Sequence, residues 1–187
     1  MVRARAIPKR IAIAVGLACA VLYGGLIALR VLYPVAHLDL VRDAAGERGL
    51  DPATLCSLIR AESRFHSDAV SVRGAIGLMQ IMPDTGRWIA EQTGLLGFDP
   101  GILFDPRTNL RLGTWYLRYL LDRFGGLEPA LMAYHAGPTR VDGWLASGEI
   151  PYSGTRAYVE RVLRAVPIYQ AALRWPIVVR ITPSLPL

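Results

Sequence analysis

The stretch LCSLIRAESRFH, Leu55 to His66, carries one acidic residue, Glu62. At 3.6 residues per turn, Leu55, Leu58, Ile59, Glu62 and Phe65 share one helical face, so the carboxylate stands where an apolar residue is expected. Arg60 and Arg64 sit two residues to either side, roughly 200° around the helix, and cannot pair with it along the helix. Two readings follow. Glu62 is either an acid at the edge of the apolar stripe, answered by a distant arginine, or a group built to hold its proton. A carboxyl walled by Leu58, Ile59 and Phe65 loses hydration, which disfavours the charged form and suits it to act as a general acid near neutral pH.

The residues just downstream fit the second reading. GAIGLMQ, Gly74 to Gln80, offers glycines that let a ligand approach the backbone, with Met79 and Gln80 as an apolar and an amide contact. Each also has a purely structural use as turn glycine, core methionine or surface amide. Asp68 and Asp84 are the next acids along the chain. Either one facing Glu62 would make a water-activating pair, although Asp68 reads more simply as a loop or capping residue. His37, His66 and His135 are far apart and lack zinc-ligand spacing. There is no defensible Ser-His-Asp set and no phosphate-binding loop, so neither a metal nor a cofactor is expected.

The elements that must position these groups are helical. HLDLVRDAAGERGL reads as a short helix ending near Gly49. Asp51 and Pro52 then supply an N-cap and a first helical residue for the Glu62 helix. Ser67 to Pro83 breaks helical periodicity at Gly74 and Gly77 and is expected as a loop or short strand region. PDTGRWIAEQTG restarts a helix, and GLLGFDPGILFDP is a turn-rich connection. A long amphipathic helix follows, capped by Asp105–Pro106 and stopped by Gly125–Gly126. Two short helices, LEPALMAYHAG and PTRVDGWLASG, precede a last helix that carries Pro167, a kink position. The fold class is therefore mostly α, with room for one small hairpin.

The 187-residue chain has a formal net charge of +6, but the charge is unevenly placed. Arg3, Arg5, Lys9, Arg10 and Arg30 stand in the first 36 residues, which hold no Asp or Glu, and the remainder has 16 basic against 15 acidic residues. A nucleic-acid binder carries its basic patch on the folded domain, so no nucleic-acid partner is expected. Ile11 to Leu29 is uncharged over 19 residues, which as a helix spans about 30 Å, the thickness of a bilayer core. The basic residues before it place the N-terminus in the cytoplasm. Arg30 can snorkel to the far interface, and Tyr33 suits the headgroup level. A cleaved signal peptide is the rival, with Ala18-Cys19-Ala20 at cleavage spacing, but the apolar run continues well past it. The expected organisation is a basic cytoplasmic N-terminus at 1–10, a transmembrane anchor at 11–33, a catalytic domain at 34–174 and a tail at 175–187. Cys19 and Cys56 fall in separate segments, so no disulfide is expected.

AESRF, then GAIGLMQIMP, then AYHAG, then TRAYVERV occur in an order and spacing that resembles the lysozyme-like lytic transglycosylases of the soluble lytic transglycosylase type. The resemblance runs from about Asp39 to Ala172 and implies a goose-lysozyme-like α domain acting on peptidoglycan glycan strands. It implies that Glu62 is the single catalytic acid/base and that Ser63 beside it helps to position substrate. Met79 and Gln80 would line the saccharide cleft, Tyr134 would lie in the matched Ala-Tyr motif, and Tyr158 would place its hydroxyl near the catalytic carboxyl. Two positions depart from the family pattern. His135 replaces the usual Asn of AYHAG, where it can still hydrogen-bond a sugar acetamide. Gly154 stands where a Glu often precedes the Thr of the last helix.

The implied chemistry accounts for a lone acid. Most glycosidases use two carboxylates, but a substrate N-acetyl group that stabilises the anomeric centre makes the second unnecessary. Glu62 would protonate the glycosidic oxygen between N-acetylmuramic acid and N-acetylglucosamine. As glutamate it would then take the proton from the muramic C6 hydroxyl, closing a 1,6-anhydro ring without consuming water. The expectation is a single-pass enzyme of the cytoplasmic (inner) membrane with its catalytic domain on the periplasmic side. A hydrolytic muramidase on the same fold, or a peptidoglycan-binding protein without turnover, are the alternatives.

Overall fold

The computed structural model describes residues 8–148 and 152–174, which divide into two units, 1–34 and 35–187. The tail at 175–187 and the side chain of Arg30 lie outside the described residues. Among its described residues the first unit holds one helix, α1 (Lys9–Leu32), closed by the Tyr33 N–H donating to the Leu29 carbonyl at 2.8 Å. Its Lys9–Leu29 stretch has mean hydropathy 2.3 and none of it is buried, so by length and composition it can cross a membrane.

The second unit contains seven further helices among the described residues. These are α2 (Leu38–Glu47), α3 (Pro52–Glu62), α4 (Pro83–Thr93), α5 (Pro106–Phe124), α6 (Leu127–Ala136), α7 (Pro138–Ser147) and α8 (Ser153–Arg174). The turn-rich connection contains a 3-10 turn at Pro100–Phe104. Helix starts follow local chemistry. The Asp51 carboxylate accepts the Ala53 and Thr54 N–H groups, and that of Asp105 accepts from Thr108, each relieving donors that have no partner inside the helix. Gly125 closes α5 at φ 70°, as the glycine pair foretold. The last helix continues through Pro167 as one element.

Two packed seams stand out among the described residues. In the first, α3 lies along α8: Leu55, Cys56, Leu58 and Ile59 are fully buried, facing a row at Tyr158, Val162, Ala165, Tyr169 and Ala172. That row alternates steps of four and three, the spacing that keeps one seam of a helix against its partner. The Ser57 hydroxyl, also fully buried, donates to the Val162 carbonyl at 2.5 Å and satisfies itself across the seam. In the second core, Leu120, Ala130, Ala133, Val141 and Trp144 join α5, α6 and α7. At roughly 1.5–3 kcal/mol for each large apolar side chain removed from water, these seams carry the packing energy of the fold.

Between α3 and α4 the chain makes no strand. Ile76 exchanges both backbone hydrogen bonds with Ile81 at 3.0 Å, and antiparallel bridges join Val70 to Ile76 and Ile76 to Ile81. The expected hairpin is thus reduced to isolated bridges around a tight loop.

Candidate active site

Glu62 is the last residue of α3, one turn earlier than its stripe implied. Phe65 is not on that helix. Ser63 leaves helical geometry, and Arg64 and Phe65 follow at φ 54° and 67°, left-handed values that turn the chain sharply. Phe65 is nevertheless 7% exposed, because the turn folds it back against Tyr169, with ring centroids 6.4 Å apart. The carboxyl group therefore sits at the negative end of a helix, which itself disfavours a second negative charge.

Its surroundings come from elsewhere in the chain. The Tyr158 hydroxyl of α8 donates to Glu62 Oε1. The Arg161 guanidinium, one turn further along α8, lies 5.7 Å above the Tyr158 ring. Burial pushes the Glu62 pKa up to about 7 from its ordinary 4.5, against the opposing pull of the Tyr158 hydrogen bond and the Arg161 charge. Glu62 is half-buried as a residue, and protein atoms exclude water from most of its carboxyl group. It is thus poised to be protonated or ionised near neutral pH.

The 76–81 loop is fixed by Asn109, a fully buried residue of α5. Its Oδ1 accepts the Met79 N–H at 2.8 Å, and its Nδ2 donates to the carbonyls of Ile76 and Leu103 at 2.9 and 2.8 Å. The fit requires glycine at 77. There φ is +78°, and a Cβ would come within 2.3 Å of both Asn109 Nδ2 and the Leu103 carbonyl oxygen. The Tyr134 hydroxyl donates to the Met79 carbonyl at 2.8 Å, and the Ser63 hydroxyl donates to that of Leu78 at 2.7 Å. The loop is thereby tied to α3, α5 and α6 at once.

This geometry corrects the expectation for Met79 and shows where the Ser63 hydroxyl is engaged. Met79 does not line a cleft with its side chain, which is fully buried against Gly113, so close that a Cβ there would lie 2.4 Å from the sulfur. The exposed methionine of the segment is Met82, at 40%. Ser63 is buried and spends its proton on Leu78, so its hydroxyl holds the loop to the end of α3. Gln80 is half-buried at φ 50°, and its amide nitrogen donates to the carbonyls of Ala69 and Gly77. The carbonyl end is then the polar atom this side chain can offer a ligand.

Tyr134 and His135, neighbours near the end of α6, reach two parts of the site. His135 stacks on Tyr158 with ring centroids 4.2 Å apart and planes inclined by 18°. Burial, with the charges of Arg161 and Arg73, lowers its pKa, which favours the neutral imidazole. Gly154 lies in the first turn of α8 with open space where a side chain would project, so packing does not force the glycine. Asp68 is exposed, and Asp84 is exposed in an ion pair with Arg87 at 3.0 Å, whereas the groups acting on Glu62 are Tyr158 and Arg161. His37 begins α2, His66 is exposed beyond α3, and His135 is on α6.

Sequence reasoning missed Asn109, Met82 and Arg161. The signal for Asn109 was an amide on the apolar face of an amphipathic helix, three residues beyond Pro106.

The Transglycosylase SLT domain model matches residues 39–150. The chain belongs to this transglycosylase family. It is 35% identical over 144 residues to the soluble lytic murein transglycosylase of Escherichia coli (strain K12), a match spanning 70% of this chain and 22% of that protein. It is 40% identical over 91 residues to the membrane-bound lytic murein transglycosylase C of Histophilus somni (strain 2336), covering 47% of this chain and 25% of that one. Among solved structures, the lytic transglycosylase Slt of Pseudomonas aeruginosa, determined as an inactive glutamate-to-glutamine mutant, superposes with a TM-score of 0.73 at 34% identity. That match covers 84% of this chain and 28% of the Pseudomonas chain. This chain therefore spans about a quarter of the length of the relatives it matches. The lysozyme-like helical fold expected from the motifs is the fold of these relatives.

Proposed function

We propose that this chain is a murein lytic transglycosylase, cleaving the β-1,4 bond between N-acetylmuramic acid and N-acetylglucosamine with Glu62 as its only catalytic carboxyl. The observation that carries the reading is the state of Glu62, whose pKa near 7 makes it a usable acid and a usable base in one cycle. Glu62 gives its proton to the glycosidic oxygen as the bond to the muramic C1 breaks. The substrate's N-acetyl group stabilises the anomeric carbon, and Tyr158 and Arg161 stabilise the carboxylate left behind. That carboxylate removes the proton from the muramic C6 hydroxyl, whose oxygen closes onto C1. Acid and base return to their starting states, and the product ends in a 1,6-anhydro ring.

The other predicted residues take supporting parts. Neutral His135 offers one N–H donor and one ring-nitrogen acceptor to a sugar acetamide while holding the Tyr158 ring in place. Tyr134 and Ser63 act through the loop that carries Gln80, and Met82 presents the apolar surface first assigned to Met79. We further infer that α1 anchors the enzyme in the cytoplasmic membrane with the 34–174 domain outside. A name of the form "membrane-bound" on a relative and the apolar helix both favour that arrangement.

The test is digestion of purified peptidoglycan by the full chain and by Glu62→Gln, followed by mass analysis of the soluble products. Muropeptides one water lighter than hydrolysis products, made only with Glu62 intact, are expected. Reducing-end products would make the site a hydrolytic muramidase, and no products from folded protein would leave a binding role.

A further inference from the structure

Helices α2 and α5 pack together around a cavity of about 230 Å³ that none of the residues acting on Glu62 lines. Asp43 and Glu47 border it from α2, Arg107 and Arg111 border it from α5, and Leu40 and Ala44 add apolar surface. On each helix the two charged residues are four apart, so they share a face. One wall is therefore acidic and the other basic. All four charged side chains are exposed, and among the described residues none of them takes part in an ion pair or a side-chain hydrogen bond.

Both pairs also stand at the unfavourable end of their helix. A carboxylate is destabilising near a helix C-terminus and a cation near an N-terminus. Yet Glu47 is the last residue of α2, with Asp43 one turn before it, and Arg107 is the second residue of α5, with Arg111 one turn after it. The fold gains no ion pair from this placement, which is the kind of broken local rule that marks a functional position. Its effect is a cavity polarised across its width. The α2 side attracts a cation and the α5 side an anion, with each helix dipole adding to the side-chain charge.

From this arrangement we infer that the α2–α5 cavity is a lipid-headgroup site for an aminophospholipid of the ethanolamine type. The inference rests on the reading of α1 as a membrane anchor. The phosphate meets Arg107 and Arg111, whose guanidinium forks suit its oxygens, and the ammonium gives its three N–H groups to Asp43 and Glu47. A choline headgroup has no N–H to give, and a glycerol headgroup has no positive charge. Either would leave the acidic wall unanswered.

Size and chain order favour a lipid over other zwitterions. The cavity, about 230 Å³, is below the range of drug-sized ligand pockets and suits a small headgroup. The chain enters α2, which supplies the acidic wall, after only residues 33–37 beyond the end of α1. A tether of that length reaches about 20 Å at full stretch. An anchored chain thus meets headgroups at a high effective concentration, which a free zwitterion lacks.

Native mass spectrometry of the full chain in detergent tests the inference. The probes are phosphatidylethanolamine, phosphatidylcholine and phosphatidylglycerol with identical acyl chains, and a free stem peptide as competitor. The ethanolamine lipid should bind roughly tenfold more tightly than the other two. The double variant Asp43→Asn/Glu47→Gln and the double variant Arg107→Gln/Arg111→Gln should each abolish that preference. Neither should lower the unfolding midpoint, because each removes charge from the unfavourable end of a helix. Equal binding of the glycerol lipid would reduce the site to an anion patch and overturn the inference. So would a preference that survives in both double variants, or displacement of the lipid by the stem peptide. Flotation with vesicles separates the two readings. A full chain that floats with none of the three lipids would overturn the anchor, and the headgroup site with it. A chain that floats with all three but shows no ethanolamine preference in the spectrometer would overturn the site alone.

Discussion

Replacing Glu62 by Gln should stabilise the fold, and by an amount that depends on pH in a defined way. Burial raises the Glu62 pKa from 4.5 to about 7, so between those values the folded protein keeps a proton that the unfolded chain has released. Stability contributed by that proton is fully present below the unfolded pKa and is lost as pH rises through the folded one. The whole shift corresponds to at most about 3–4 kcal/mol, and to roughly 1–3 once the partial exposure of the residue is allowed its share of solvent screening. Glutamine keeps the shape and cannot ionise. Glu62→Gln and the parent should therefore differ by a constant below about pH 4.5, diverge in favour of the variant up to about 7, and run parallel above it. Urea unfolding followed by circular dichroism at half-unit pH steps measures this directly. At the upper plateau the midpoint of thermal unfolding should rise by roughly 2–10 °C for a chain of this size. Curves that stay parallel from pH 4 to 9 would refute the claim that the site holds Glu62 neutral.

Other outcomes follow from the same geometry. The rate on peptidoglycan should fall as pH rises through about 7, because the first step needs the protonated acid. Tyr158→Phe should move that fall to higher pH while lowering the rate, since the Tyr158 hydrogen bond favours the charged form of Glu62. Asn109→Ala strands the Met79 N–H and takes one donor each from the Ile76 and Leu103 carbonyls, so it should cost roughly 2–4 kcal/mol in urea unfolding. Gly77→Ala should cost at least about 2 kcal/mol in the same assay, because both its φ of +78° and its contacts at 2.3 Å exclude a methyl group.

Local chemistry explains which parts of this molecule were legible in its sequence. Asp51–Pro52 and Asp105–Pro106 begin helices because their carboxylates satisfy N–H groups only a few residues away, and Gly125 ends one because its φ is positive. Glu62 stood out as an acid on an apolar stripe, and the motifs around it carried the family. The misplaced residues are those whose role is set by distant partners. Met79 and Met82 are equally apolar, and only the approach of Gly113 on α5 makes the first of them core. Phe65 kept the helical period after the helix had ended, because a left-handed turn, invisible to periodicity, returned it to the same core. Asn109 works through three carbonyl and amide groups spread from Ile76 to Leu103, a pattern that spacing along α5 does not encode.

The central claim is that one carboxyl serves as acid and then base, with the muramic C6 oxygen taking the place of water. Digestion of peptidoglycan by the full chain in water enriched in heavy oxygen tests it most directly. Anhydro-ended products that carry no solvent oxygen at the cleaved C1, made by the parent and not by Glu62→Gln, are expected. Heavy oxygen at C1 of products that depend on Glu62 would contradict it and put water in the reaction.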